Sequence, residues 1–229
     1  MAAMPRLPLR ILLFIAAFVF IATIIQLGIL TLALDKLGLS ADSATLLFIT
    51  ILAGSMLNLP LFSMSGESSG NEEETEEPAL PPPPLPGFIR NTPPYTGKTQ
   101  VMANVGGCVV PVAFCLYLLH HNSIGSFHLL LAIATVTFLS YSSSRRLPGI
   151  GIGIPILLAP IAAALVSILL DPAHAAPLAY ISGTLGVLIG ADLLHLKDIQ
   201  QLKVPFASIG GAGSFDGIFI TGIVAVLLA

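Results

Sequence analysis

Charge is scarce in this chain: 9% of residues are charged and 55% hydrophobic, with a mean hydropathy of +0.94. So few polar side chains cannot cover a water-soluble core of this length, so the sequence reads as a bilayer protein. The net charge of -3 says little, because Glu72, Glu73, Glu74, Glu76 and Glu77 supply five of the twelve acidic residues in one run. There is no Walker-type glycine loop to cradle a nucleotide phosphate and no basic patch interleaved with aromatics, so neither nucleotide nor nucleic acid is an expected partner. Cysteine is limited to Cys108 and Cys115. Seven residues apart, they share a helix face but sit about 10 Å apart, beyond disulfide reach, and read as buried thiols. No motif calls for a metal or an organic cofactor, and no repeat of 20–50 residues is visible.

What the chain does have is long apolar runs. Seven stretches approach the roughly 20 residues that span a bilayer core: about 11–34, 43–62, 101–119, 126–143, 149–170, 177–196 and 206–229. The first, from Ile11 to Ala33, exceeds a signal-peptide core and has no A-x-A-like cleavage site before the next polar turn, so it reads as a retained helix. Turn signals separate the runs at Asp35 to Gly38, Asn122 to Gly125, Asp171-Pro172 and Pro205. With the N terminus inside, the cytoplasmic segments hold Arg6, Arg10, Arg90, Lys98, Arg145, Arg146, Lys197 and Lys203, against Lys36 alone outside. This positive-inside bias predicts an all-α, multi-pass bundle of about seven helices in the cell membrane, N-in and C-out. Residues 1–62 would form two N-terminal spans and 101–229 a five-helix core. Between them, 63–100 carries the Glu run, Pro81 to Pro84, Pro86 and Pro93-Pro94, and reads as a disordered or polyproline II cytoplasmic loop. A Pro-rich segment of this kind is a solvated spacer or a docking site for a cytoplasmic partner.

Asp192 and Asp216 are the acidic residues that fall inside apolar runs, on the two consecutive segments six and seven. A carboxylate in hydrocarbon is costly, so each is a functional-site candidate. Asp192 ends a stretch in which Gly183, Gly186 and Gly190 recur at three- and four-residue spacing, giving a smooth face for close helix approach. Asp216 follows Gly210, Gly211 and Gly213 and precedes Gly217. These glycines weaken a helix, and a break at membrane depth is tolerated where it is buried in protein or lines a watery cavity. A helix restarting near Ser214 would place Asp216 in its first turn, where free N–H groups favour a carboxylate. Antiparallel neighbours joined by a short turn can bring the two acids together, and a close carboxylate pair shares one proton and works as general base and general acid.

Gly211-Ala212-Gly213-Ser214-Phe215-Asp216 resembles a stretched form of the GxGD motif of intramembrane aspartyl proteases, the group of presenilin and signal peptide peptidase. That resemblance implies an Asp192/Asp216 dyad, on helices six and seven of an N-in bundle, cleaving transmembrane helices of its substrates. The chain departs from the pattern: Ser214 and Phe215 intervene, no Tyr precedes Asp192, the acids are close in sequence and no Pro-Ala-Leu follows on a later helix. Asn58-Leu59-Pro60, at a cytoplasmic helix end, could take a comparable backbone role. The membrane part also resembles an uncharacterised family of prokaryotic, largely archaeal, membrane proteins, through Asn104-Val105-Gly106-Gly107, Pro148 to Pro155, Gly190 to Leu194 and Gly210 to Phe219. That family implies no activity.

The competing class is an ion- or proton-coupled transporter or channel, because broken helices and midplane aspartates also bind coupling ions. Asn58 and Asn104 would add polar ligands, and 150–160, with Gly151, Gly153, Pro155 and Pro160, is a second discontinuity or a kinked packing helix. His120, His121, His128 and His174, near Asp171, read as interfacial polar residues, their spacing matching no metal motif. His195, three residues past Asp192, is an interfacial histidine or faces the same cavity.

Overall fold

A computed structural model describes residues 28–65, 95, 97–147, 151–201, 204–211 and 217–229. The first described element is α1, Gly28–Lys36, followed by α2, Ala41–Gly54, bent from it by 112°. The Ser40 hydroxyl caps α2 by accepting from Ser43 N at 3.3 Å. Helix does not continue through the apolar residues beyond Gly54. Pro60 lacks an N–H and disfavours helical backbone at Leu59, so the chain goes extended as β1, Asn58–Ser65. After the Glu- and Pro-rich stretch it returns as β2, Lys98–Asn104, where Thr99, Val101 and Ala103 point inward at period two. A π turn, Val105–Val109, leads into α3, Val110–His121.

The rest follows the same alternation of helix and short strand. α4 is Ser126–Ser143, β3 Arg145–Leu147, β4 Gly151–Gly153 and α5 Leu158–Leu170. A single 3-10 turn, Pro172–His174, enters α6, Ala175–Val187, which runs on through a π turn, Leu188–Leu193. α7, Leu196–Gln201, β5, Phe206–Ile209, and α8, Gly217–Leu228, complete the order.

The fold is therefore mostly helical, and the all-α expectation is corrected by its strands. β1 and β2 pair antiparallel, β2 and β5 parallel, giving the order β1-β2-β5; β3 and β4 form a separate hairpin. Four of the apolar runs change partway: 43–62 gives up helix after Gly54, 101–119 and 206–229 begin as strand, and 149–170 is helical only from Leu158. In three of them the reason is backbone chemistry that hydropathy does not register, namely Pro60, Pro155 and the paired glycines at 210–211. Among the described residues, two helical stretches, Ser126–Ser143 and Pro172–Asp198, are long and apolar enough to cross a membrane; α1 and α2 together would make a third as a broken span or re-entrant loop.

α6 is the axis of the bundle. Nearly all its residues are buried, and it packs against α3, α4, α5 and α8. Gly186 and Gly190 admit α4: a Cβ on Gly186 would lie 2.6 Å from Val136 Cβ, and one on Gly190 2.5 Å from the Thr137 carbonyl oxygen. Gly183 faces Thr221 of α8 and Ala163 of α5 instead, so the three glycines serve two seams rather than one face. At one end of the bundle Lys36 Nζ donates to the carbonyls of Val226 and Leu227, 3.4 and 3.2 Å away, at the C-terminal end of the α8 dipole. The three-stranded sheet occupies the other end, where α2 finishes and α3 and α8 begin.

Gly186→Ala tests this packing. Val136 is fully buried and β-branched, with little rotamer freedom to yield, so α4 and α6 must separate at an expected cost of about 1–3 kcal/mol. Unfolding in mixed detergent and dodecyl sulfate micelles measures it, and native stability in this variant would contradict the described contact.

Candidate functional site

Asp192 belongs to the π turn that ends α6. There the hydrogen-bond ring widens, with Leu194 N donating to Ile189 O at 3.0 Å, and the extra residue changes the direction of the side chains after it. The half-buried Asp192 carboxylate reaches the end of β5, where Oδ2 accepts from Gly210 N at 2.9 Å. Gly210 and Gly211 have φ of +79° and +77°, a left-handed turn that side chains resist. Asp192 thus holds the first amide of a turn that only glycines make easily.

A second polar group braces the neighbouring Val105–Val109 turn from the sheet side. Asn104, wholly buried at the end of β2, donates through Nδ2 to Ser55 O (2.8 Å) and Asn58 Oδ1 (3.1 Å), and accepts at Oδ1 from Gly107 N (2.7 Å). It therefore caps the Val105–Val109 turn while tying α2 to β1. Ser208 Oγ lies 2.8 Å from both Asn58 Oδ1 and Gly211 O; its one hydrogen serves one of them at a time. Gly107 and Gly210 meet backbone to backbone: a Cβ on Gly107 would overlap the Gly210 carbonyl oxygen, and one on Gly210 would lie 2.7 Å from Cys108 Cβ.

Beside Asp192 is a cavity of about 280 Å³ between β4 with the residues after it, the α6 π turn and the start of α8. Ile152, Ile154, Ile156, Val187, Ile218 and Ile220 make its walls apolar, and Asp192 and Thr221 supply polar side chains. Such a chamber suits an apolar group presented to a carboxylate.

The structure brings Asp192, Gly210 and Gly211 together, and Ser208 stands between that turn and the Asn58–Asn104 pair, donating to one side or the other. Gly190 serves the α4 seam, two residues before Asp192. Pro60 is exposed on β1 opposite Met102, where the strand register shifts, and Gly217 is the first residue of α8. Asp216 and Gly213 lie outside the described residues. Cys115 is buried in α3 and Cys108 half-buried, and neither is in a disulfide. Of the histidines, His174 Nδ1 pairs with Asp171 at 3.1 Å and His121 bonds the Tyr117 carbonyl; among the described residues no three His, Cys, Asp or Glu side chains gather as a metal site. The sequence marks Gly107 only as part of a family motif, and gives no place to Ser208 or Thr221. The glycine pair after Asn104 was a usable signal for Gly107, whereas Ser208 reaches Asn58 across 150 residues and nothing local marks it.

A family model described as a protein of unknown function (DUF1614) matches residues 52–228, and the chain belongs to that family. The matched region runs from α2 through α8 and includes all the residues of this site. No curated protein and no solved structure matches the chain.

Two substitutions test the site's construction. Asn104→Leu strands the Ser55 carbonyl and the Gly107 amide in a buried setting, at an expected cost of about 1–3 kcal/mol for each group left unpaired. Asp192→Asn keeps an acceptor for Gly210 N–H, so its unfolding midpoint should stay close to native, whereas Asp192→Ala should lower it.

Proposed function

We propose that this protein is an intramembrane aspartyl hydrolase that cleaves transmembrane segments with Asp192 and Asp216. The observation that carries the reading is the Asp192 carboxylate, set against an apolar cavity and holding the Gly210 amide that opens the segment leading to Asp216. Asp216 is bonded to Gly217, the first residue of α8, and Ile218 of that helix lines the same cavity. In the proposed reaction one carboxylate takes a proton from water as it attacks the amide carbon, and the protonated partner gives its proton to the carbonyl oxygen. Collapse of the resulting diol, with a proton passed to nitrogen, breaks the C–N bond. Apolar walls suit a substrate that arrives from lipid.

The proposal includes the membrane topology: seven crossings, N terminus cytoplasmic. In its support, the Lys36 turn and the end of α8 lie at one end of the bundle, while the other carries Lys98, Arg145, Arg146 and Lys197. α5 and α8, with 13 and 12 residues, cover about 18–20 Å as helix, and the extended segments before them would complete the crossing. The Glu- and Pro-rich stretch then faces the cytoplasm, open to a partner there.

A carrier or channel for a coupling ion is the second reading. It is favoured by the two π turns and the left-handed Gly210–Gly211 turn, which cluster broken backbone beside a carboxylate.

Asp192→Asn and Asp216→Asn are each expected to lower cleavage of a reconstituted helical substrate by at least about a thousandfold, on the scale of losing a catalytic group. Full cleavage by either variant, or loss of ion flux into liposomes without any cleavage by the native chain, would overturn the hydrolase assignment. Labelling of single cysteines placed near Lys36 and near Ser65 from opposite sides of the membrane tests the topology.

A further inference from the structure

His195 is buried, 9% exposed, where the π turn of Asp192 gives way to α7. Its Nδ1 lies 3.0 Å from the Gly190 carbonyl oxygen. A carbonyl only accepts, so Nδ1 carries the hydrogen in that contact. The ring lies against Tyr141 of α4, centroids 4.7 Å apart, and Nε2 is 3.8 Å from Asp198 Oδ2 of α7. Three elements therefore fix this imidazole: α4, the π turn and α7. A π turn leaves backbone groups out of the ordinary helical ladder, and a buried carbonyl released this way needs a donor. Gly190 and His195 bracket Asp192, one two residues before it and the other three after.

We propose that His195 is the positioning residue of the Asp192 site. By donating Nδ1–H to the Gly190 carbonyl it keeps the π turn wound, and the wound turn aims the Asp192 carboxylate at Gly210 N–H and the cavity. His195 itself touches no reacting atom. The assignment goes beyond the proposed hydrolysis and rests only on the geometry around Asp192, so it stands whether that carboxylate activates water or binds an ion.

The test reads amide exchange at Gly210 by NMR, in the full chain labelled with 15N-glycine in micelles. Asp192→Ala removes the acceptor and sets the scale, an expected acceleration of about tenfold or more at Gly210. His195→Leu keeps the apolar contact with Tyr141 but has no donor, and is expected to accelerate Gly210 similarly while Gly183, within α6, exchanges at its native rate. His195→Asn places an amide N–H where Nδ1–H stood and should hold Gly210 within about threefold of native, whereas His195→Gln, whose amide reaches the Nε2 position, should not. Should His195→Leu fail to fold, the Asn and Gln pair decides the matter. Native exchange at Gly210 in the Leu or Gln variant overturns the proposal, as does equal acceleration at Gly183 and Gly210 or an Asn variant no slower than Gln. Exchange needs no substrate, so failure here and failure of the hydrolase assignment are separate outcomes.

Discussion

A backbone amide that points inward at a tight turn must find an acceptor, and in this protein a carboxylate provides it. The bond from Gly210 N–H to Asp192 joins the end of the central helix to the end of a strand. Through β5 it reaches β2, and through Asn104 at the end of β2 it reaches α2 and β1. Polar groups in apolar surroundings are costly when unpaired and strong when paired, so a chain of such bonds both localises and stiffens the region around Asp192.

Packing works to the same end. Helices in lipid gain little from burying apolar surface against one another and associate by close approach of small residues. Gly186 and Gly190 provide this between α6 and α4, and Gly107 and Gly210 provide it between two turns. The outcome is a closely packed helix leading to a turn whose carboxylate is held by the Gly210 amide. Either proposed chemistry needs that property, since a general base and an ion ligand both depend on placement to a fraction of an ångström.

Much of this was legible in the sequence, for stated reasons. Asp192 stood out because carboxylates are rare in apolar runs, and the glycines at 186 and 190 announced a close contact by their spacing. The glycines at 210, 211 and 213 announce a break in the backbone, though not its left-handed geometry at Gly210 and Gly211. The strands were hidden because mean hydropathy treats extended and helical apolar segments alike. Pro60 and the alternation of Thr99, Val101 and Ala103 did mark them, but counting apolar residues toward a 20-residue span absorbed both signals. The link from Ser208 to Asn58 has no local signature, since only the folded sheet makes the two residues neighbours.

The parallel pairing of β2 with β5 joins segments about a hundred residues apart, Gln100 to Phe206 and Ala103 to Ile209. During synthesis β2 emerges long before β5, so one edge of it stays open while α3 through α7 are being made. An open edge is a template for any extended chain nearby. The β2 edge is therefore open to pairing with any extended segment until β5 arrives to cover it.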